Sequence, residues 1–191
     1  MIPPVQPVPE PHDFEEKVRA PGRQWLATHP SAARPKDYWT LFKGTLAQGF
    51  ENRCAYCAMY EPVGTVDHFA SWHEDRSQAY SWENYRYCAQ WINASKGKTP
   101  ADKLLDPYTI KDGWFEIHLP SLHLQVSNRV PDALRERAAY VLERLHLRKD
   151  ERVLRQRREW YRMFQDKEVS LKGLRKKAPL IAMAVTRAGR S

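Results

Sequence analysis

The stretch from Val66 to Gly97 constrains this chain more than any other. It begins Val66-Asp67-His68-Phe69, passes through a loop, and resumes as Asn84-Tyr85-Arg86-Tyr87-Cys88-Ala89-Gln90-Trp91-Ile92-Asn93-Ala94-Ser95-Lys96-Gly97. The β-branched Thr65 and Val66 give the residues from Gly64 to Phe69 a strand composition, and residues 84–87 read as their partner strand. From Ala89 the pattern turns helical. Ala89, Asn93 and Lys96 stand at i, i+4 and i+7 and share one helix face, which would be turned toward the hairpin. Asp67 and His68 are neighbours on a strand, so both reach one site only if the strand ends or twists there.

An Asp-His pair, an Asn sixteen residues after the His, a second Asn nine further on and a Lys three beyond it follow the order and spacing of the HNH (His-Me finger) nucleases, whose core this segment closely resembles. The resemblance implies a ββα finger. It also implies that Asn84 holds the finger together and helps orient the catalytic His. Beyond the finger, Cys54-Ala55-Tyr56-Cys57, Thr65-Val66-Asp67-His68-Phe69, the run from Tyr80 to Tyr85 and Asp106-Pro107 are loosely similar to the small HNH subunits that bacterial antiphage systems of the Septu type pair with an ATPase. That likeness covers residues 50 to 110, and only the HNH core is specific.

The chemistry explains the residue types. Cutting a phosphodiester needs a deprotonated water and a group that absorbs charge on the phosphate, and a neutral imidazole beside a divalent cation supplies both. His68 is the expected general base, because its ordinary pKa lies near working pH. Asp67 and Asn93 offer the oxygen ligands that hard Mg²⁺ or Mn²⁺ prefers, leaving other positions to water and phosphate. Lys96, a point charge one turn from the metal, is expected to hold a phosphate oxygen. Taken singly these residues mean little. An Asp-His pair is common, and Lys-Gly after a helix is more often a cap.

The cysteines depart from the family pattern. Cys54 and Cys57 stand where many HNH proteins carry half of a structural zinc site, but the positions of the second half hold Ala89 and Ile92, with Cys88 one residue out of register. His73 would complete a site, though no spacing compels it. Half a zinc site, a redox pair and a buried apolar pair all remain open. The favoured reading is a degenerate site in which Tyr87, Trp91 and Ile92 pack in place of zinc.

The remainder of the 191 residues is read as one α+β unit: a Pro-rich N-terminal arm over 1–35, the nuclease core with a flanking helix and a β-rich segment over 36–130, and a basic helical extension over 131–191. Within the core, Asp37 to Phe50 reads as a helix, and Trp114–Leu119 with Leu122–Val126 as two strands joined at Pro120-Ser121. Their His118 and His123 are read as ordinary surface histidines. The extension reads as three helices, opening at Pro131, at Asp150 and at Ser170, the last interrupted at Pro179.

Charge is uneven. Residues 131–191 carry seventeen Lys and Arg against eight Asp and Glu, and residues 1–130 carry fourteen against fifteen, so the +8 of the chain is C-terminal. Arg152, Arg155, Arg158 and Arg162 are accordingly expected to grip a DNA backbone, although a solvated helix face or a scaffold for a partner would carry the same charges. No apolar run approaches a membrane span and no secretory start is present, which points to a cytoplasmic protein. The expected function is metal-dependent DNA cleavage in bacterial defence, or a toxin held silent by an immunity protein or ATPase partner. The alternative is a nonenzymatic finger that binds nucleic acid or a partner protein.

Overall fold

The computed structural model describes residues 6–189. It is mixed α and β, with helices packed around two small antiparallel sheets. A first helical segment has a wide-turn start, Glu15–Arg19, that runs straight into α1 (Ala20–Thr28). Next comes a tight turn over Trp39–Phe42, continued by α2 (Lys43–Gly49). The hairpin follows, β1 (Thr65–His68) pairing with β2 (Tyr85–Cys88), and then α3 (Gln90–Lys96). A second hairpin, β3 (Phe115–His118) with β4 (His123–Val126), precedes α4 (Asp132–Arg144), α5 (Glu151–Gln165), α6 (Leu171–Lys177) and α7 (Pro179–Arg187).

A two-stranded sheet is marginal by itself, so each hairpin needs cover. Helices α2 and α3 pack on the first hairpin, and α7 and α4 on the second. Helix α7 is buried over most of its circumference, with Leu180, Ile181, Ala182, Ala184 and Val185 all in the core, and Leu180 and Ala184 stand beside Phe115 and Ile117 of β3. The C-terminal helices are tied to the hairpin side by backbone as well: Tyr60 N–H donates to Lys177 O at 2.7 Å, and Gln156 Nε2 donates to Tyr60 O at 3.0 Å. The caps at Asp150 and Ser170 are as the sequence suggests, each side chain accepting from a first-turn N–H, Arg152 and Gly173 respectively. Pro131 sits one place earlier than expected, as the cap before α4.

Part of the segment read as a Pro-rich arm over 1–35 is helical. Residues 1–5 lie outside the described residues, but residues 15–28 are helical and belong to the core. Phe14 is fully buried and meets Phe42, Trp82 and Tyr85 edge-on, with ring centroids 5.5, 5.2 and 5.8 Å away. Gly22 brings α1 onto the Tyr80 ring, where an added Cβ would stand 2.4 Å from ring carbons. This segment therefore supports the loop between β1 and β2, the part of the chain that carries one wall of the site.

Candidate active site

Strand β1 ends at His68, and Phe69 N–H closes the hairpin on Asn84 O at 2.8 Å. Because the strand stops there, adjacent side chains that point apart still line one cleft of about 360 Å³. Its walls include Asp67, His68, Asn93 and Lys96 from the strand and helix, Ser71, Trp72 and His73 from the loop, and Arg34, Asp37 and Trp39 from before α2. Four of the residues expected from sequence thus meet in one place. Arg34, Asp37 and Lys98 were not anticipated, and His73 was considered only for a zinc site; Arg34 and Asp37 lie about thirty residues before His68, too far in sequence to signal that they would join it.

His68 is 4% exposed and boxed by Trp39, Trp72 and Tyr85, whose rings stand edge-on to the imidazole at 4.6 to 5.0 Å. Its Nε2 lies 2.8 Å from Ala79 O. A carbonyl only accepts, so Nε2 carries the proton and Nδ1 carries the lone pair. Burial pushes the His68 pKa down to about 4, against smaller upward pulls from the Ala79 carbonyl and Asp67. The ring is a neutral base at physiological pH, with its tautomer fixed by the loop.

Asn84 acts one step away. It is buried and does not line the cleft. Its Oδ1 accepts from Ala70 N–H at 2.7 Å, and its Nδ2 donates to Ala70 O at 2.9 Å and Gln78 O at 3.1 Å. These bonds pin both ends of the loop whose next residue, Ala79, holds His68. Asn84 thus braces the loop that carries the Ala79 carbonyl and stands outside the cleft wall.

Asp67 is 1% exposed and has both carboxylate oxygens engaged. Tyr56 Oη donates to Oδ2 at 2.5 Å, and Lys96 Nζ donates to Oδ1 at 2.9 Å. Burial, followed by the charge of Asp67, holds the Tyr56 phenol well above its ordinary pKa, so it is a donor. Lys96 also donates to His68 O. Lys96 is only 1% exposed, so its ammonium is committed to the hairpin and is not the open phosphate contact its place on a last helical turn suggests. Asn93 is half-buried, and its Nδ2 donates to Val66 O at 3.3 Å, leaving the carboxamide oxygen as its remaining acceptor. The donors suit a hard cation in kind, one carboxylate and one carboxamide oxygen lining one cleft, with Lys96 standing at the carboxylate.

Cys54, Cys57 and Cys88 are free and buried. The turn that holds Cys54 and Cys57 is fixed by backbone, Cys54 N–H to Met59 O at 2.9 Å and Ala55 N–H to Tyr87 O at 2.8 Å, with Ala58 at φ 58°. This turn delivers Tyr56 to Asp67. The Cys57 thiol is pushed up by its hydrogen bond with Cys54 and by burial. His73 lines the cleft, and among the described residues no group of three or more His, Cys, Asp or Glu side chains is arranged to hold a metal ion.

Arg152, Arg155, Arg158 and Arg162 of α5 are exposed, and none lines the cleft. Arg152 pairs with Asp150 at 2.8 Å and lies over the Trp91 ring at 4.2 Å; Arg155 and Arg158 share Glu151; Arg162 meets Glu159, Asp166 and Glu168. Much of the charge of that face is therefore answered along the helix itself. Arg157, between them, is the buried one, donating to Leu122 O, Arg148 O and Leu147 O at 3.1, 3.0 and 2.7 Å. Burial pushes its pKa down to about 10.

No family model matches this chain, and comparison with curated proteins and with solved structures gives no match either. Among the described residues, no helix is long and apolar enough to cross a membrane.

Proposed function

We propose that this protein is a hydrolase of nucleic-acid phosphodiesters, with His68 as general base and DNA as the expected substrate. The observation that carries the reading is the state of His68: a neutral imidazole whose proton is anchored on Ala79 O at 2.8 Å, set in the wall of a cleft it shares with Asp67, Asn93, Arg34 and Lys98. In this reading Nδ1 accepts the proton of an attacking water. Arg34 and Lys98 are exposed cations of the cleft wall and neutralise the phosphates on either side of the bond. Asp67 and Asn93 would hold Mg²⁺ or Mn²⁺, which when bound supplies charge to the phosphate. The strand-strand-helix order and the buried Asn84 brace support placing this site with the His-Me fingers.

A second reading, a nonenzymatic module that binds nucleic acid or a partner, draws support from Asp67. A carboxylate already paired with the Lys96 ammonium at 2.9 Å and hydrogen-bonded by the Tyr56 hydroxyl at 2.5 Å fits a structural ion pair. Incubating the purified protein with supercoiled plasmid, single-stranded DNA and RNA, with Mg²⁺, Mn²⁺ or EDTA, separates the two. Cleavage that requires the cation is expected; binding without cleavage under every condition would establish the second reading.

A further inference from the structure

We propose that Lys96 is a built-in cation that competes with the divalent ion for Asp67, so that entry of the metal and release of the Lys96 side chain are a single exchange. The inference rests on the reading of Asp67 and Asn93 given above and says how that site is controlled.

Three observations carry it. First, each Asp67 oxygen already holds a donor: Oδ2 takes the Tyr56 hydroxyl at 2.5 Å and Oδ1 takes the Lys96 ammonium at 2.9 Å. A divalent ion and an ammonium on one carboxylate oxygen would stand within a few ångströms of each other in a site where both Asp67 and Lys96 are 1% exposed, and such like charges repel strongly at low dielectric. Tyr56 is neutral and can stay; Lys96 cannot. Second, the Lys96 backbone is fixed while its side chain has somewhere to go. Its carbonyl accepts from Thr99 Oγ1 at 2.6 Å and Arg144 Nη2 at 3.2 Å, and Arg144 Nε in turn donates to Thr99 Oγ1 at 2.9 Å. Lys96 also lines the cleft, and the next residue, Gly97 at φ 53°, presents no side chain against it. Third, the residue is a lysine, whose flexible four-carbon stem permits such a swing where a rigid guanidinium fork would not.

Exchange keeps the buried carboxylate partnered in both states. An unpartnered buried charge is strongly destabilising, so a metal site this dry needs a resident cation when the ion is absent. The released ammonium is then in the cleft, where it can meet a phosphate oxygen. Lys96 would contact substrate only in the metal-loaded state.

The test is metal binding without nucleic acid. In a titration followed by the electron paramagnetic resonance signal of free Mn²⁺, Lys96→Gln should bind at least tenfold more tightly than wild type, and the Lys96→Gln/Asp67→Asn double variant should lose that gain. In the wild-type protein, saturating Mg²⁺ should raise acetylation of Lys96 several-fold relative to Lys98, read by peptide mass spectrometry. That measurement decides the matter alone if Lys96→Gln does not fold. Equal Mn²⁺ affinities with unchanged Lys96 protection would overturn the exchange while leaving Asp67 as a metal ligand. No Mn²⁺ binding even in Lys96→Gln would overturn both.

Discussion

Lowering the pH should weaken this protein through one residue, and the amount follows from where that residue sits. Folded, His68 titrates at about 4; unfolded, it returns to its ordinary 6.5. Between those values the unfolded chain binds a proton that the folded chain refuses, so stability falls as pH falls. The contribution is fully present above 6.5, is lost progressively below it, and is exhausted once pH drops under about 4. One pH unit of such separation is worth about 1.4 kcal/mol, so the full window amounts to about 3 kcal/mol. His68 is 4% exposed, so solvent does little to screen this. Urea unfolding of wild type and His68→Gln at pH 7 and pH 4 isolates it, because other groups titrate alike in both proteins. Wild type should lose about 3 kcal/mol more than the variant over that interval. Parallel losses would refute a buried neutral His68. The same burial predicts that the acid limb of any cleavage activity lies well below pH 6.5.

Asn84→Ala removes the three hydrogen bonds that hold residues 70 and 78, and leaves their buried polar groups without that partner. It should lower stability by about 2–4 kcal/mol in denaturant unfolding and slow cleavage more than it weakens binding. Arg157→Met strands three carbonyls, those of Leu122, Leu147 and Arg148, and should cost about 3 kcal/mol while leaving the cleft chemistry intact in the folded fraction. Replacing Arg152, Arg155, Arg158 and Arg162 together should change stability little, since their ion pairs are exposed. If α5 grips phosphate backbone, the same variant should bind all DNA sequences more weakly and flatten the salt dependence by about one slope unit for each phosphate no longer neutralised, read by fluorescence anisotropy; unchanged affinity and slope would leave these arginines to a protein partner.

The hairpin and α3 were legible because composition and periodicity change where the structure changes: β-branched residues at 65–66, the helical spacing of Ala89, Asn93 and Lys96, and a glycine at the end. The helix over 15–28 was hidden by Pro21 and Gly22, which read as breakers. Pro21 in fact falls just where the wide-turn segment over 15–19 gives way to α1, and the glycine is demanded by the Tyr80 ring. Arg157 carried a readable signal, three residues after Leu154 and four after Val153 on the buried stripe of α5. Its charge masked it. Tyr56 carried none, and Lys96 was legible as a residue of the hairpin-facing side of α3 but not as the partner of Asp67. A lysine in a last helical turn is usually solvated, and a tyrosine between two cysteines is eclipsed by them; only the tertiary meeting at Asp67 gives either its role. The charge bias of the C-terminal third was visible, but its cancellation by Glu151, Glu159, Asp166 and Glu168 depends on helical spacing and side-chain reach.

The central claim is that His68 removes a proton from the attacking water, and single-turnover cleavage by His68→Ala tests it most directly. Plasmid DNA would be held at saturating enzyme with Mg²⁺ or Mn²⁺, with folding checked by circular dichroism and affinity by anisotropy. Loss of the base is expected to lower the rate by about 10²–10⁴ with affinity unchanged. Cleavage by folded His68→Ala at near the wild-type rate would contradict the account.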